Sequence, residues 1–364
     1  MAEQVAATRP HLRQAIELAG GHFINIVEMG VLKTFVDYKV FDMIPDEGDI
    51  SLSELAERVS GEQELLERFS AYLVAADILV SPAPGRIAHT DKSRPYRSGE
   101  VTGGFIVHVF NMLFRPVAQL STFFKQHGLA SPKNASVTPM GLAMGHPDKD
   151  VYEILDAEPE LAKLFNSFLK QSSRIYTLKG VYDFGWMQSA LGGGRPVVVD
   201  VGGSSGRALL DILSFNDFIP AERCAVLDLP QAIEDTKRNL DEGLGSVLLV
   251  GGSMFEPLPE SVRGALVYQF RRVLNDFPDN DVLRALRGAR EAAAPDTRIL
   301  IIEELLAADM NKFSVAQDLT LFCVGGKRRN ATMYSELAGR AGFRLNAQFH
   351  DKVNNCGVLE FVLI

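Results

Sequence analysis

Residues 196–213, read as PVVVDVGGSSGRALLDIL, constrain this chain more than any other segment. A β-branched run at 196–201 meets a turn built of Gly202, Gly203, Ser204, Ser205 and Gly206. The apolar spacing from Ala208 to Leu213 is then helical. A strand that enters a glycine turn and leaves as a helix is the first unit of a parallel, doubly wound sheet. The pattern recurs downstream. Strand-like runs lie at 223–227, 246–250, 264–270, 298–303 and 358–363, with helical stretches at 230–240, 279–293 and 331–342. Such alternation predicts a Rossmann-like α/β domain with a largely parallel sheet.

The front of the chain reads differently. Residues 11–45 carry apolar side chains at helical spacing, including Ile16, Leu18, Phe23, Ile26 and Val31. That stripe is broad for a surface helix and suits burial against a second subunit. Ser51-Leu52-Ser53-Glu54 has the capping-box pattern that opens a helix. A second helix follows from about Glu62 to Ala76, then a small β-wing around the Pro84-Gly85 turn. Helix, helix and wing resemble a winged helix, but 51–76 is acidic and lacks a basic recognition helix. With 364 residues the chain divides into a mainly helical domain at 1–175 and an α/β domain at 176–364.

The net charge of −9 argues against a nucleic-acid partner. Cys224, Cys323 and Cys356 have no metal or disulfide spacing and read as buried free thiols; no metal is expected. No signal peptide is apparent, and no apolar run reaches the ~20 residues a membrane span needs. The expectation is a cytoplasmic protein without a membrane partner.

Ligands of doubly wound sheets sit at the C-terminal strand ends. Glycines at the first turn let a ligand approach the backbone. Asp228 follows Asp200 by 28 positions at the tip of the second strand. A carboxylate there accepts the two hydroxyls of a ribose; the alternative is a helix cap ahead of Pro230.

The blocks VVVDVGGSSGRALLDIL, LDLP, GGSMFEPLPE, YQFRRVLNDFPDNDVLRALRGAREAAAPDTRILIIEELL and GGKRRNATMYSELAGRAGF together resemble the plant and fungal small-molecule O-methyltransferases. The resemblance implies a class I methyltransferase domain behind a helical dimerisation domain, hence a homodimer. It also implies S-adenosylmethionine, or S-adenosylhomocysteine, as cofactor. The cofactor candidates are Asp200, Gly202, Gly203, Asp228, Leu229, Ser253, Met254 and Phe255. The family has Asp where Ser253 stands, which removes one adenine contact.

Oxygen methylation needs a base, and the family's histidine opens an H-D-W/F-x-D motif. This chain reads Asn275-Asp276-Phe277-Pro278-Asp279. Asparagine takes no proton near neutral pH. Of the two acids that orient that histidine, one matches Glu303 and the other is replaced by Arg328. The catalytic candidates are Asn275, Asp276, His108 and Glu303, although His108 also fits a core histidine and Asp276 a structural carboxylate. Some fungal members of the family lack the histidine, keep the cofactor and catalyse dehydration or pericyclic cyclisation. The resemblance implies such a pericyclase, acting on a polyketide-derived intermediate such as a pyridone quinone methide; the alternative is a true O-methyltransferase acting on a small phenolic or polyketide hydroxyl. Phe105, Phe110, Met112, Phe114, Phe165, Phe168, Tyr176, Met310 and Phe322 are candidates to line its cavity, although a plain core role fits most of them better.

Overall fold

A computed structural model describes residues 2–172, 177–351 and 356–364, with side chains at 2–12 and 167–172 outside the description. The chain forms two compact units. The first comprises Met1–Phe114 with Glu160–Phe168, the second Arg115–Pro159 with Leu169–Ile364.

In the first unit a long helix, Ala2–Asp37, precedes the helices Leu52–Val59 and Gln63–Ala75. A small antiparallel sheet has the order β1-β3-β2, with β1 at Ile50–Ser51, β2 at Leu79–Val80 and β3 at Arg86–His89. The expected cap is half made. Ser51 Oγ accepts the Glu54 N–H at 3.2 Å, but the Glu54 carboxylate pairs with Arg58. Phe35, Phe41, Leu55 and Leu73 form the centre of the core. On the long helix Ile16, Leu18, Phe23, Ile24 and Ile26 stay exposed. Arg13–Asp37 and Val101–Ala118 are helical and apolar enough, by length and composition, to cross a membrane. The sequence reading counted uninterrupted apolar runs, whereas these helices are apolar only on average, a test that the core helix of a soluble protein passes as well.

The second unit is built on a seven-stranded sheet of order β6-β5-β4-β7-β8-β10-β9. Its strands are β4 (Val198–Val201), β5 (Ala225–Asp228), β6 (Leu248–Gly251), β7 (Val267–Arg271), β8 (Arg298–Glu304), β9 (Phe343–Asp351) and β10 (Cys356–Leu363). β4 to β8 are parallel, and β10 runs antiparallel to both neighbours. The Val/Ile/Leu-rich runs of β4 and β8 are buried, as are Val267, Tyr268, Gln269 and Phe270 of β7, as helix-covered parallel strands require. Two elements went unread in the sequence. β9 is a half-buried strand whose residues alternate between sheltered and exposed. The helix Lys312–Cys323 carries apolar residues all round, including exposed Phe313 and Leu319, so it has no periodic face. All three cysteines are free and buried.

The parallel arrangement brings the C-terminal ends of five strands to one edge. There Gly202 and Gly206 adopt φ of +73° and +74°. A Cβ on Gly203 would lie 2.6 Å from Asp200 Oδ2, and one on Gly206 2.7 Å from Leu244. Glycine is therefore required for the turn between β4 and the helix Arg207–Ser214.

Candidate active site at the strand ends

Asp228 closes the glycine turn from the side. Its Oδ2 accepts the Ser204 N–H at 2.6 Å and its Oδ1 the Leu229 N–H at 2.7 Å. Each oxygen keeps a lone pair, and the carboxylate remains partly exposed. Burial raises its pKa while the two backbone donors hold it down. Gly252 N–H donates to the Asp228 carbonyl, which draws the end of β6 alongside. The turn, Asp228 and the 251–255 segment thus form one cradle. Asp200 lies beneath it, 1% exposed. Burial pushes its carboxyl up to about 6, opposed by the Gln269 amide and the Arg271 guanidinium.

Ser253 turns inward on its own loop, its Oγ accepting the Phe255 N–H at 3.2 Å. Met254 and Phe255 pack partly buried on the core, and Leu229 is 38% exposed at the lip. Phe255 meets Phe277 edge-on at 4.9 Å, with the Arg284 guanidinium 4.6 Å over its ring. A narrow glycine turn beside a carboxylate and an apolar shelf fits a nucleoside: ribose on Asp228, base on the shelf.

The turn after β7 holds the catalytic candidates. Asn275 is 5% exposed and engaged at both ends of its amide. Its Oδ1 accepts the Tyr334 hydroxyl at 2.7 Å, and its Nδ2 donates to the Glu304 carbonyl at 3.2 Å. Glu303 Oε1 accepts the N–H groups of Val273 and Asn275 at 2.9 and 3.1 Å. Burial, reinforced by the Asp276 charge, pushes the Glu303 carboxyl up to about 8. Near neutral pH it is mostly protonated. Asp276 is partly exposed, and its Oδ2 accepts the Tyr152 hydroxyl at 2.9 Å. Burial pushes it up to about 6, against the Tyr152 hydrogen bond and the Arg272 charge. Arg272 itself has a left-handed φ of 54°, a conformation that costs energy and gathers at functional sites.

Arg328 turns away from Glu303. Its guanidinium pairs with Glu304 and donates to Gln317 Oε1 at 3.0 Å and the Ser314 carbonyl at 3.1 Å. Arg329, wholly buried, donates to the carbonyls of Leu274 and Phe277 at 3.0 and 2.7 Å and to Asp279. Lys327 N–H donates to the Asn275 carbonyl at 2.9 Å. The 325–330 loop is therefore the brace of the 274–279 turn.

His108 ends the helix Val101–His108, where the chain continues as a π-helix over Val109–Phe114. Its ring stacks on Phe165 at 6.4 Å, and burial pushes it down to about 4. It belongs to the first unit, whereas Asn275, Asp276, Glu303 and the cradle belong to the second. Of the cavity candidates, Phe110 packs on Phe114 at 5.4 Å and Phe322 on Phe124 at 5.7 Å. Tyr176 and the side chain of Phe168 lie outside the described residues. Sequence reasoning missed Tyr152, Tyr334 and Arg329. The signal for Tyr152 was its place two residues after Asp150 in a D-x-x-E helix start; nothing local marked its partner.

The O-methyltransferase domain pattern matches residues 131–344, and the O-methyltransferase dimerisation domain pattern matches 22–102. Methyltransferase phm5 of a Pyrenochaetopsis species is 46% identical over 99% of both chains. Methyltransferase eqxD of Fusarium heterosporum is 38% identical over 94% of both. Among solved structures, OxaC in complex with sinefungin and meleagrin has a TM-score of 0.85 at 24% identity, covering 96% of this chain and 88% of that one. LepI in complex with S-adenosylmethionine has a TM-score of 0.79 at 19% identity, covering 100% and 94%. A protein described as a pericyclic reaction enzyme has a TM-score of 0.78 at 19% identity, each chain fully covered.

Proposed function

This chain belongs to the O-methyltransferase family, and we propose that it transfers methyl groups from S-adenosylmethionine to a small-molecule oxygen or nitrogen whose proton is already acidic. One observation carries the second half of that statement. The cradle is intact, yet position 275, where the family keeps its base, holds an asparagine tied at both ends of its amide. An acceptor that ionises readily needs no strong base. Relatives 38–46% identical and named methyltransferases, spanning nearly this whole chain, support the transfer itself.

Gly202, Gly203 and Asp228 would hold the cofactor's polar half, with Leu229, Met254 and Phe255 beside its base. When bound, S-adenosylmethionine supplies an electrophilic methyl on a sulfonium. The protein's own residues position the acceptor, exclude water and receive a proton. The match to the dimerisation domain and the exposed apolar side chains of the N-terminal helix support a homodimer.

A second reading, a pericyclase that retains the cofactor without consuming it, is favoured by the same Asn275. A pericyclic step needs a shaped cavity rather than a base. The two readings differ in stoichiometry. Purified protein is incubated with S-adenosylmethionine and extract from a producer strain lacking the gene, and S-adenosylhomocysteine and product are counted. One S-adenosylhomocysteine per product is expected. Product without S-adenosylhomocysteine would transfer the assignment to the pericyclase.

A further inference from the structure

Adjacent residues in the turn after β7 have opposite circumstances. Asn275 is buried and its amide is occupied at both ends. Asp276 is partly exposed, one oxygen bonded to Tyr152, and its Oδ1 makes no hydrogen bond among the described residues. Tyr152 is held in three independent ways. Its N–H donates to Asp150 Oδ1 at 2.9 Å within a complete Asp150/Glu153 capping box that opens the helix Val151–Ala157. Its ring stacks on Phe277 at 5.9 Å with an interplanar angle of 18°. Its hydroxyl reaches Asp276 Oδ2. A helix start fixed this firmly aims one hydroxyl at one carboxylate, next to the cradle: Tyr152 also feels the charge of Asp228.

We propose that Tyr152 is the positioning residue for Asp276, and that Asp276 takes the proton of the acceptor. The proposal rests on the methyl-transfer reading above. In the step, the acceptor's X–H bond breaks, its electron pair stays on X, and the proton bonds to Asp276 Oδ1.

The groups facing Asp276 are Arg272 at the end of β7, Glu303 on β8, Tyr334 on the helix Ala331–Arg340, and Tyr152. Asp150 and Asp228 act more remotely, through Tyr152. Burial makes Asp276 a stronger base than an ordinary carboxylate, with Tyr152 and Arg272 keeping it ionised around neutrality. It is still a weak base beside a histidine. Proton transfer is efficient when donor and acceptor strengths match, so this pair selects acidic O–H or N–H groups and leaves ordinary alcohols untouched.

The test compares wild type, Tyr152→Phe and Asp276→Asn. Loss of the hydroxyl moves the acid limb of kcat/KM up by about one pH unit while activity recovers on the alkaline side. Asp276→Asn lowers kcat/KM ~100-fold or more at every pH. Infrared titration of the resting protein supplies a readout apart from turnover. Of the carboxyl intensity titrating near pH 6, to which Asp200 also contributes, the Asp276 part is lost in Asp276→Asn and moves up in Tyr152→Phe, seen in difference spectra against wild type. A Tyr152→Phe enzyme with lower Tm but an unmoved acid limb and band would make Tyr152 a brace and overturn the proposal. So would an Asp276→Asn enzyme within about twofold of wild type. If wild type forms product without consuming S-adenosylmethionine, the methyl-transfer reading fails and the base role falls with it, and a band that still shifts in Tyr152→Phe identifies that failure as separate from a failure of the pair.

Discussion

At the scale of single residues, the site is governed by which carboxyls are charged. Glu303 is buried with its oxygen capping two backbone N–H groups, and its carboxyl sits at about 8 rather than the ordinary 4.5. For an acid whose folded pKa is raised, the stabilising contribution is complete below the unfolded value and is lost as pH rises through the folded one. Asp200 and Asp276, both about 6, titrate earlier. Between about pH 6.5 and 8 the fall in unfolding free energy should therefore come largely from Glu303, at up to ~1.4 kcal/mol per pH unit. Chemical denaturation at several pH values should show a flatter slope for Glu303→Gln; an equal slope would contradict the assignment. The motif at 275–279 was legible as a candidate site, and so was the absence of a histidine at its head. What no motif could show is that Asn275 is locked in place by Tyr334. Nor could it show that Asp276 gains Tyr152 from 124 positions away, because such partners are set by packing between distant elements.

At the scale of elements, the 325–330 loop explains why the turn after β7 holds its shape. A Cβ on Gly326 would collide with the Asn275 carbonyl, so the two backbones touch. Arg328, read from the sequence as a lost catalytic acid, ties the helix Lys312–Cys323 to the end of β8 through Gln317, Ser314 and Glu304. Its guanidinium is 3% exposed and the Glu304 carboxylate 17%. Arg328→Met removes that ion pair together with the Gln317 and Ser314 hydrogen bonds and should cost ~3 kcal/mol, with Glu304→Gln restoring part of it in the double variant. Calorimetry reads both; an Arg328→Met protein within about 0.5 kcal/mol of wild type would remove the clamp from the account. The strands β4 to β8 and their crossover helices were legible because buried parallel strands leave uninterrupted apolar runs between turns. The helix Lys312–Cys323 was not, since its apolar residues ring it without a face.

At the scale of the whole molecule, the α/β sheet supplies the cradle and the helical front supplies an apolar surface. Phe23 is 68% exposed and Ile26 56% on the long first helix. In a family with a dimerisation domain at this position, those side chains are expected to be buried by a second copy. Phe23→Asp should weaken dimerisation by at least ~10-fold in sedimentation equilibrium, as removal of a central apolar contact does; an unchanged association constant would place the interface elsewhere. The breadth of this stripe was visible from the spacing of residues 11–45, whereas its occupant is supplied by the family alone.

The central claim is that the methyl group is transferred although the base at 275 is gone. The most direct measurement is mass spectrometry of the product made from methyl-labelled S-adenosylmethionine and the extract of the gene-deleted producer. The expected product carries the intact labelled methyl group. An unlabelled product, isomeric with its precursor or lighter by one water, would contradict the claim and leave the cradle as a holder of a cofactor that is never spent.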